Sequence, residues 1–298
     1  MRNFVLACVA AVAAADTIIL PPSSQTGQQV AVVWIHGMQC PQEQYTTMAL
    51  SLQSEGKAAG QSIWVGIPEF LFDAPEPVLI DHYVEDTISQ LKKAGFSGDN
   101  IILAAHSLGG VMSQKYAKDH TDTIKGQILM GSVLTRDLHT LNTDGSTHFN
   151  YPVPTLTIGG TKDGLMRISR MAEAYYHQIE NIEKAQQGMF PVFALEGASH
   201  MSFMSGTPPG LVLKRDLRAE VSESDAHKAF AQQMVSFIGQ VASKTYNFAE
   251  TSTQAVLKPL IEAMKLEGSY ALKPPCYDVD LVNRKDDPTC GHGSPFNA

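Results

Sequence analysis

From about residue 30 to residue 245 the chain alternates short apolar runs with stretches whose hydrophobic residues recur every three to four positions. A strand covered on both faces reads as an unbroken apolar run and a covering helix shows a single apolar stripe, so this alternation predicts a mostly parallel sheet with crossover helices. Residues 30–35 (VAVVWI) predict the first buried strand and about 42–59 the helix after it; 62–67 predict a second strand, stopped by Pro68. Residues 78–94 predict a longer amphipathic helix with Ile80, Val84, Ile88 and Leu91 on one stripe and Gly95 as its C-terminal stop. Residues 100–105 (NIILAA) read as a central strand running directly into His106-Ser107-Leu108-Gly109-Gly110 and a helix over 111–118. Further strands are expected at 126–132, 155–158 and 190–195, with helices at about 168–185 and 226–242. The polar segment 135–154 reads as an excursion over the sheet edge.

From about residue 244 the pattern changes to one short helix, 254–266, and a turn-rich tail with Pro274, Pro275 and Pro288. The tail has too few apolar residues for a core of its own, so residues 244–298 are expected to be an extension of one α/β domain spanning 16–243.

Composition narrows the class. Of 298 residues 44% are hydrophobic and 17% charged, ample for a large core and unlike a disordered or fibrous chain. With 22 Lys+Arg against 30 Asp+Glu the formal charge is −8, which argues against nucleic acid as the main partner.

Residues 1–15 read as a secretory signal: Arg2 gives the positive start, Phe4 to Val12 the apolar run and Ala13-Ala14-Ala15 the small-residue cleavage site. An ordinary buried N-terminal strand is the alternative. No segment reaches the ~18 apolar residues of a membrane span, so a secreted or lumenal protein (extracellular, or vacuolar/lysosomal) without a transmembrane anchor is expected. Removal of Cys8 with the signal leaves Cys40, Cys276 and Cys290, which cannot all pair within one chain. A Cys276–Cys290 disulfide is the economical reading, because those residues bracket a Pro-, Asp- and Gly-rich tail that burial could not hold; such a bond stabilises by roughly 3 kcal/mol. A bond from Cys40 to the tail is the competing connectivity. No Cys/His cluster has zinc-site spacing, and no Gly-rich phosphate loop or dinucleotide fingerprint occurs, so neither a metal nor a cofactor is expected.

Ala105-His106-Ser107-Leu108-Gly109 fits a nucleophile elbow with alanine in the first glycine position. A sharp strand-to-helix turn exposes the serine hydroxyl above the sheet, and its neighbours must be small because the helix passes close. The helix start also places the Leu108 N–H where negative charge would develop on a carbonyl oxygen.

With these residues the chain resembles the α/β-hydrolase superfamily, and A-H-S-L-G-G is similar to elbows of small lipases. Trp34-Ile35-His36-Gly37-Met38 follows an early strand, as does the His-Gly segment of that superfamily, and the resemblance implies Met38 N–H as a second oxyanion donor beside Leu108. The acid and base should follow the serine in that order. Asp163 stands in the loop after a late strand, in the G-x-x-D pattern from Gly160, and His200 in the loop after the last strand. In this reading Ser107 is the nucleophile, His200 the base and Asp163 the acid that orients it. Each residue also has a plainer role open to it: Ser107 as a helix cap, Asp163 as a turn residue, His200 as a hydrogen-bonded structural histidine. Asp137 and Glu196 are rival acids. His36 is expected to hold the oxyanion loop and His106 to pack beside the elbow.

The resemblance, which covers about residues 30–243, implies a lipase- or carboxylesterase-like serine hydrolase acting on a small-molecule ester or lipid-like substrate. Met201, Phe203, Met204, Leu165 and Met166 are candidates for an apolar site mouth, and 135–154 and 205–224 for its cover. Two alternatives stay open. The same three residues could act on another bond (a chlorophyll-type ester, a thioester, an amide, or in a lyase reaction), or the fold could serve as a secreted ligand-binding protein without turnover.

Overall fold

The computed structural model describes residues 17–135, 139–141, 147–149, 151–183, 186–246 and 253–266. The segment 1–15 expected to be a signal, the rival acid Asp137 and the cysteines Cys276 and Cys290 lie outside the described residues.

Strand β1 (Thr17–Leu20) opens the described chain and β2 (Gln28–Ile35) follows. A 3₁₀ turn, Gln42–Tyr45, leads into α1 (Thr46–Ala58), then come β3 (Gln61–Pro68) and α2 (Pro77–Lys93), with Pro77 at the first helical position. Strand β4 (Asn100–His106) runs into α3 (Leu108–Met112) and α4 (Gln114–Asp119), and β5 (Ile124–Met130) completes that crossover. A small antiparallel hairpin, β6 (His139–Leu141) and β7 (Thr147–Phe149), stands apart from the main sheet. Then follow β8 (Thr155–Gly160), α5 (Ile168–Asn181), β9 (Val192–Leu195), the short α6 (Gly210–Leu213), α7 (Glu223–Ser243) and α8 (Thr253–Leu266).

The seven main strands lie in the order β1-β3-β2-β4-β5-β8-β9, all parallel except β1, which pairs antiparallel with β3. Side-chain alternation along β2 makes the three layers. Val30, Val32 and Trp34 face a core shared with α1 (Met48, Leu52) and α7 (Phe230, Met234, Ile238). Ala31, Val33 and Ile35 face the opposite core with α2 (Ile80, Val84, Leu91) and α4 (Tyr116, Ala117). Because β2 is buried on both sides, its near-continuous apolar run was its sequence signature.

The sheet grows from β2 to β3 on one side and then from β2 to β4 on the other. The loops leaving β2 and β4 therefore diverge to opposite faces at the carboxyl ends of these neighbours, the position where open α/β sheets bind ligands.

Two local features depart from the periodicity. The four-residue β1 is too short to show a pattern of its own and exists as an edge partner of β3. The helix expected over 111–118 is divided at Ser113. Gln114 turns its side-chain amide back onto the Gly110 carbonyl (2.8 Å) and the Val133 carbonyl (2.9 Å), and its Oε1 accepts the Thr135 N–H (2.9 Å), so the segment leaving β5 is tied to the helix break.

Helix α8 packs Leu257 and Ile261 against Met171, Ala172 and Tyr175 of α5 and Val192 and Ala194 of β9, extending burial past the outer strand. Among the described residues no helix is long and apolar enough to cross a membrane.

Candidate active site

Strand β4 lies between β2 and β5, with His106 in register with Met130, so Ser107 emerges at the centre of the sheet's carboxyl edge. Its N–H donates to the Met130 carbonyl at 2.9 Å, and its backbone takes φ 52°, ψ −122°, a region a non-glycine residue enters only under strain of about 1–3 kcal/mol. The turn holds because its surroundings leave no alternative. A Cβ on Gly109 would lie 2.4 Å from the His36 carbonyl oxygen, and one on Gly110 would lie 2.6 Å from Ser132 Cβ. Ala105, by contrast, has room for its methyl in the core shared with α2, which is how alanine serves where the elbow pattern has glycine.

Ser107, His200 and Asp163 form one hydrogen-bonded chain. Ser107 Oγ is 2.8 Å from His200 Nε2, and His200 Nδ1 is 2.8 Å from Asp163 Oδ2. The three residues come from three strand ends, those of β4, β9 and β8. Asp163 and His200 are both buried, at 3% and 2% exposure, whereas Ser107 is half-buried at the rim. Asp163 Oδ1 accepts the N–H groups of Leu165 (2.9 Å) and Met166 (2.6 Å), so both its oxygens are fixed. Burial raises the Asp163 pKa above the usual carboxylate range, against the opposing hydrogen bond and charge of His200 and the two backbone donors.

Glycines let the acid and base loops meet. A Cβ on Gly160 would fall 2.0 Å from the Ala198 carbonyl oxygen, and that carbonyl accepts the Lys162 N–H at 2.8 Å. The glycine of the G-x-x-D pattern is thus a close backbone approach between the two loops. Gly131, at the end of β5 with φ +50°, lies behind the pair: a Cβ there would be 3.0 Å from His200 Nδ1 and 3.3 Å from Asp163 Oδ2.

Met38 and Leu108, the two expected donors, stand just after β2 and at the start of α3. Leu108 is the first residue of α3, where a backbone N–H has no acceptor within the helix. Met38 sits in a tight turn in which Gln39 N–H donates to the Asp73 carbonyl (2.7 Å) and Cys40 N–H to the Gly37 carbonyl (3.3 Å). Among the described residues the Met38 N–H is given to no backbone or side-chain acceptor. His36 holds this turn. Its Nε2 accepts the Phe70 N–H (3.3 Å), which leaves the hydrogen on Nδ1 to donate to the Gly37 carbonyl (2.9 Å). Cys40 is a free, buried thiol with its pKa pushed up to about 11 by burial.

Glu196 is exposed, and the His200 imidazole pairs with Asp163 in its place. Two of the residues expected at the site mouth are elsewhere. Phe203 stacks on Phe230 with centroids 4.2 Å apart and, with Met204, fills the core beneath α7, because their loop dips back between β9 and α7. Met201 is half-buried and packs against that same core, while Leu165 and Met166 remain half-buried beside Asp163.

Three contributors to the geometry carried no sequence signal strong enough to find them: Gly131, Tyr45 and Asp216. The Asp216 carboxylate, just after α6, accepts N–H groups from Gly164 (2.9 Å), His200 (3.2 Å) and Met201 (3.3 Å), clamping the acid loop to the base loop. Gly164 is pressed so closely on this segment that a Cβ would lie 1.9 Å from the Arg215 carbonyl oxygen.

Among solved structures the chain is similar to Est1E from Butyrivibrio proteoclasticus, bound to ferulic acid (14% identity, 75% of this chain and 95% of that chain, TM-score 0.48). It is also similar to a soluble variant of monoglyceride lipase from Saccharomyces cerevisiae in complex with a substrate analog (12% identity, 78% and 92%, TM-score 0.48). A third is a putative lipase from Acinetobacter baumannii AYE (14% identity, 78% and 93%, TM-score 0.46). No curated protein matches the sequence. Residues 32–206, more than half of the chain and a span reaching from β2 past His200, match the model described as the alpha/beta hydrolase family, and the protein belongs to that family.

Proposed function

We propose that the protein is a secreted serine hydrolase that cleaves carboxylic esters through an acyl-enzyme on Ser107. The observation that carries this reading is the unbroken hydrogen-bond chain from Ser107 Oγ through both ring nitrogens of His200 to Asp163, at 2.8 Å for each link. A neutral imidazole with Nδ1–H directed at a carboxylate presents Nε2 as an acceptor to the serine hydroxyl, the state a general base requires.

In the first half-reaction His200 Nε2 takes the Ser107 proton as Oγ attacks the ester carbonyl carbon. Asp163 holds the ring and stabilises the imidazolium, while its own bonds to Leu165 and Met166 keep it from turning away. The backbone N–H groups of Met38 and Leu108 receive the oxyanion, and loss of one such donor typically costs about 2.7–4 kcal/mol of barrier. His200 then protonates the leaving alcohol. In the second half-reaction it deprotonates water, which attacks the acyl carbon and releases acid and free Ser107. The half-buried Leu165 and Met166 beside Asp163 favour an ester of a small or lipid-like acid.

Purified protein should hydrolyse short and medium p-nitrophenyl esters and be labelled by a fluorophosphonate at Ser107, and Ser107→Ala should lose both. Unchanged turnover in that variant rejects the assignment, and an unlabelled native serine favours ligand binding without turnover. An acyl-length series reports the depth of the pocket. Export makes two further expectations: a mature chain beginning near Asp16, and a Cys276–Cys290 crosslink in non-reducing mass mapping of secreted material.

A further inference from the structure

Directly behind Ser107 lie two residues that the acyl-transfer steps do not use, Tyr45 and His106, both fully buried. Tyr45 Oη is 2.8 Å from His106 Nδ1. The Gly37 N–H donates to Tyr45 Oη at 2.9 Å, and His106 Nε2 lies 3.0 Å from the backbone carbonyl oxygen of His200. Donor and acceptor chemistry alone fixes every proton in this series. A carbonyl oxygen only accepts, so His106 carries its hydrogen on Nε2. The Nδ1 of that neutral ring then accepts, so the Tyr45 hydroxyl donates to it. The phenol oxygen in turn receives the Gly37 N–H. The series runs one way, from Gly37 N–H to Tyr45 O–H to His106 Nε2–H to His200 C=O. The opposite tautomer would set a bare Nε2 against the His200 carbonyl oxygen, two acceptors face to face. Burial, with His200 nearby, holds the His106 pKa well below the usual imidazole range and raises that of Tyr45, so both stay neutral.

The two ends of the series are the two moving parts of the proposed chemistry. Gly37 immediately precedes Met38, and its glycine is obligatory: a Cβ would lie 2.9 Å from His106 Nδ1 and 3.2 Å from Tyr45 Oη. At the other end, His106 holds the His200 carbonyl while Asp216 holds the His200 N–H, so the base is gripped by its own backbone on both sides and only its ring is left for Ser107 and Asp163. Resting on the serine-hydrolase reading above, we propose that Tyr45 and His106 are positioning residues that lock the oxyanion segment at Gly37-Met38 to the backbone of the base His200, so that donor and base keep one fixed spacing.

Tyr45→Phe removes the middle link while keeping the ring, and leaves Gly37 N–H and His106 Nδ1 without partners. Its kcat on p-nitrophenyl butyrate should fall about 10- to 100-fold with KM within about twofold of the parent, because a small misplacement of donor and base acts on the transition state and leaves substrate binding alone. Circular dichroism and the thermal midpoint establish that the variant is folded at the assay temperature. A folded Tyr45→Phe with parental kcat, or one that loses KM and kcat together, overturns the proposal. If Tyr45→Phe does not fold, long-range ¹⁵N–¹H spectra of the parent's histidine side chains decide instead. His106 as the neutral Nε2–H tautomer at pH 7 supports the one-way series; the Nδ1–H tautomer or an imidazolium overturns it. A parent that hydrolyses no ester defeats the hydrolase reading, while the tautomer measurement still tests the series itself.

Discussion

Asp216 accepts the backbone N–H of His200 at 3.2 Å, although sixteen residues separate them and Asp216 stands outside the Ser107-His200-Asp163 chain. With Gly164 and Met201 on the same carboxylate, one side chain sets where the acid loop ends and the base loop begins. Asp216→Ala removes the acceptor of four N–H groups, those of Gly164, His200, Met201 and Leu217, and kcat on a p-nitrophenyl ester should fall about tenfold. Unfolding by urea should show a loss of about 1–3 kcal/mol. Asp216→Asn, which keeps one acceptor oxygen, should fall between variant and parent. Parental kcat in Asp216→Ala would remove the carboxylate from any part in holding the base.

Gly131→Ala tests the space behind the His200–Asp163 pair. Its methyl would meet His200 Nδ1 at 3.0 Å, and its φ of +50° penalises any side chain. Gly60 supplies the control, with φ +76° and nothing within 4 Å of an added Cβ. Both alanine variants should lose about 1 kcal/mol of stability from backbone conformation. Only Gly131→Ala should also lower kcat. Equal kcat for the two would show that the ring pair has slack.

The backbone of Ser107 predicts a trade of stability against activity. At φ 52°, ψ −122° glycine is at ease and alanine is not. Ser107→Gly should therefore unfold at a higher temperature than Ser107→Ala, by an amount equivalent to about 1–3 kcal/mol, although both should be inactive in the proposed reaction. Identical midpoints would mean that the elbow stores no strain.

His36 and His106 are fully buried, and burial lowers the pKa of both. Below about pH 6.5 an unfolded chain protonates these imidazoles while the folded protein does not, so the unfolded state binds more protons and stability falls as pH falls, down to each folded pKa. The slope is about 1.4 kcal/mol per pH unit for each histidine. Asp163, whose pKa is raised, acts in the opposite sense, in the lower range that begins above the ordinary carboxylate value. Urea midpoints measured between pH 7.5 and 5.5 should decline. A flat profile would mean that the two rings take up protons without unfolding.

How much of this was legible in the sequence depends on the range of the contacts. Strands β2 and β4 are buried on both faces, so their apolar runs announced them, and α2 carried its stripe and its stop signal locally. Ser107, Asp163 and His200 were findable because each sits at a strand end in a short motif whose glycines are demanded by backbone contacts, as at Gly109 and Gly160. Tyr45 and Asp216 were not findable that way. Tyr45 reads as one more aromatic in a polar turn, and Asp216 as one charge in a charged loop; each acquires its part only from partners 61 and 16 residues away. Phe203 and Met204 misled for the converse reason: they neighbour His200 in sequence, but the loop buries them under α7.

Strands β5 and β8 are direct neighbours in the sheet, yet the hairpin β6-β7 intervenes between them in the chain. Since departure and return points are adjacent, the register of the two strands does not fix the length of the detour between its anchors, Thr135 on Gln114 at one end and the buried Tyr151 on the Gln114 carbonyl at the other. Exchange of the hairpin between those anchors should change what the protein recognises while leaving the Ser107-His200-Asp163 hydrogen-bond chain in place.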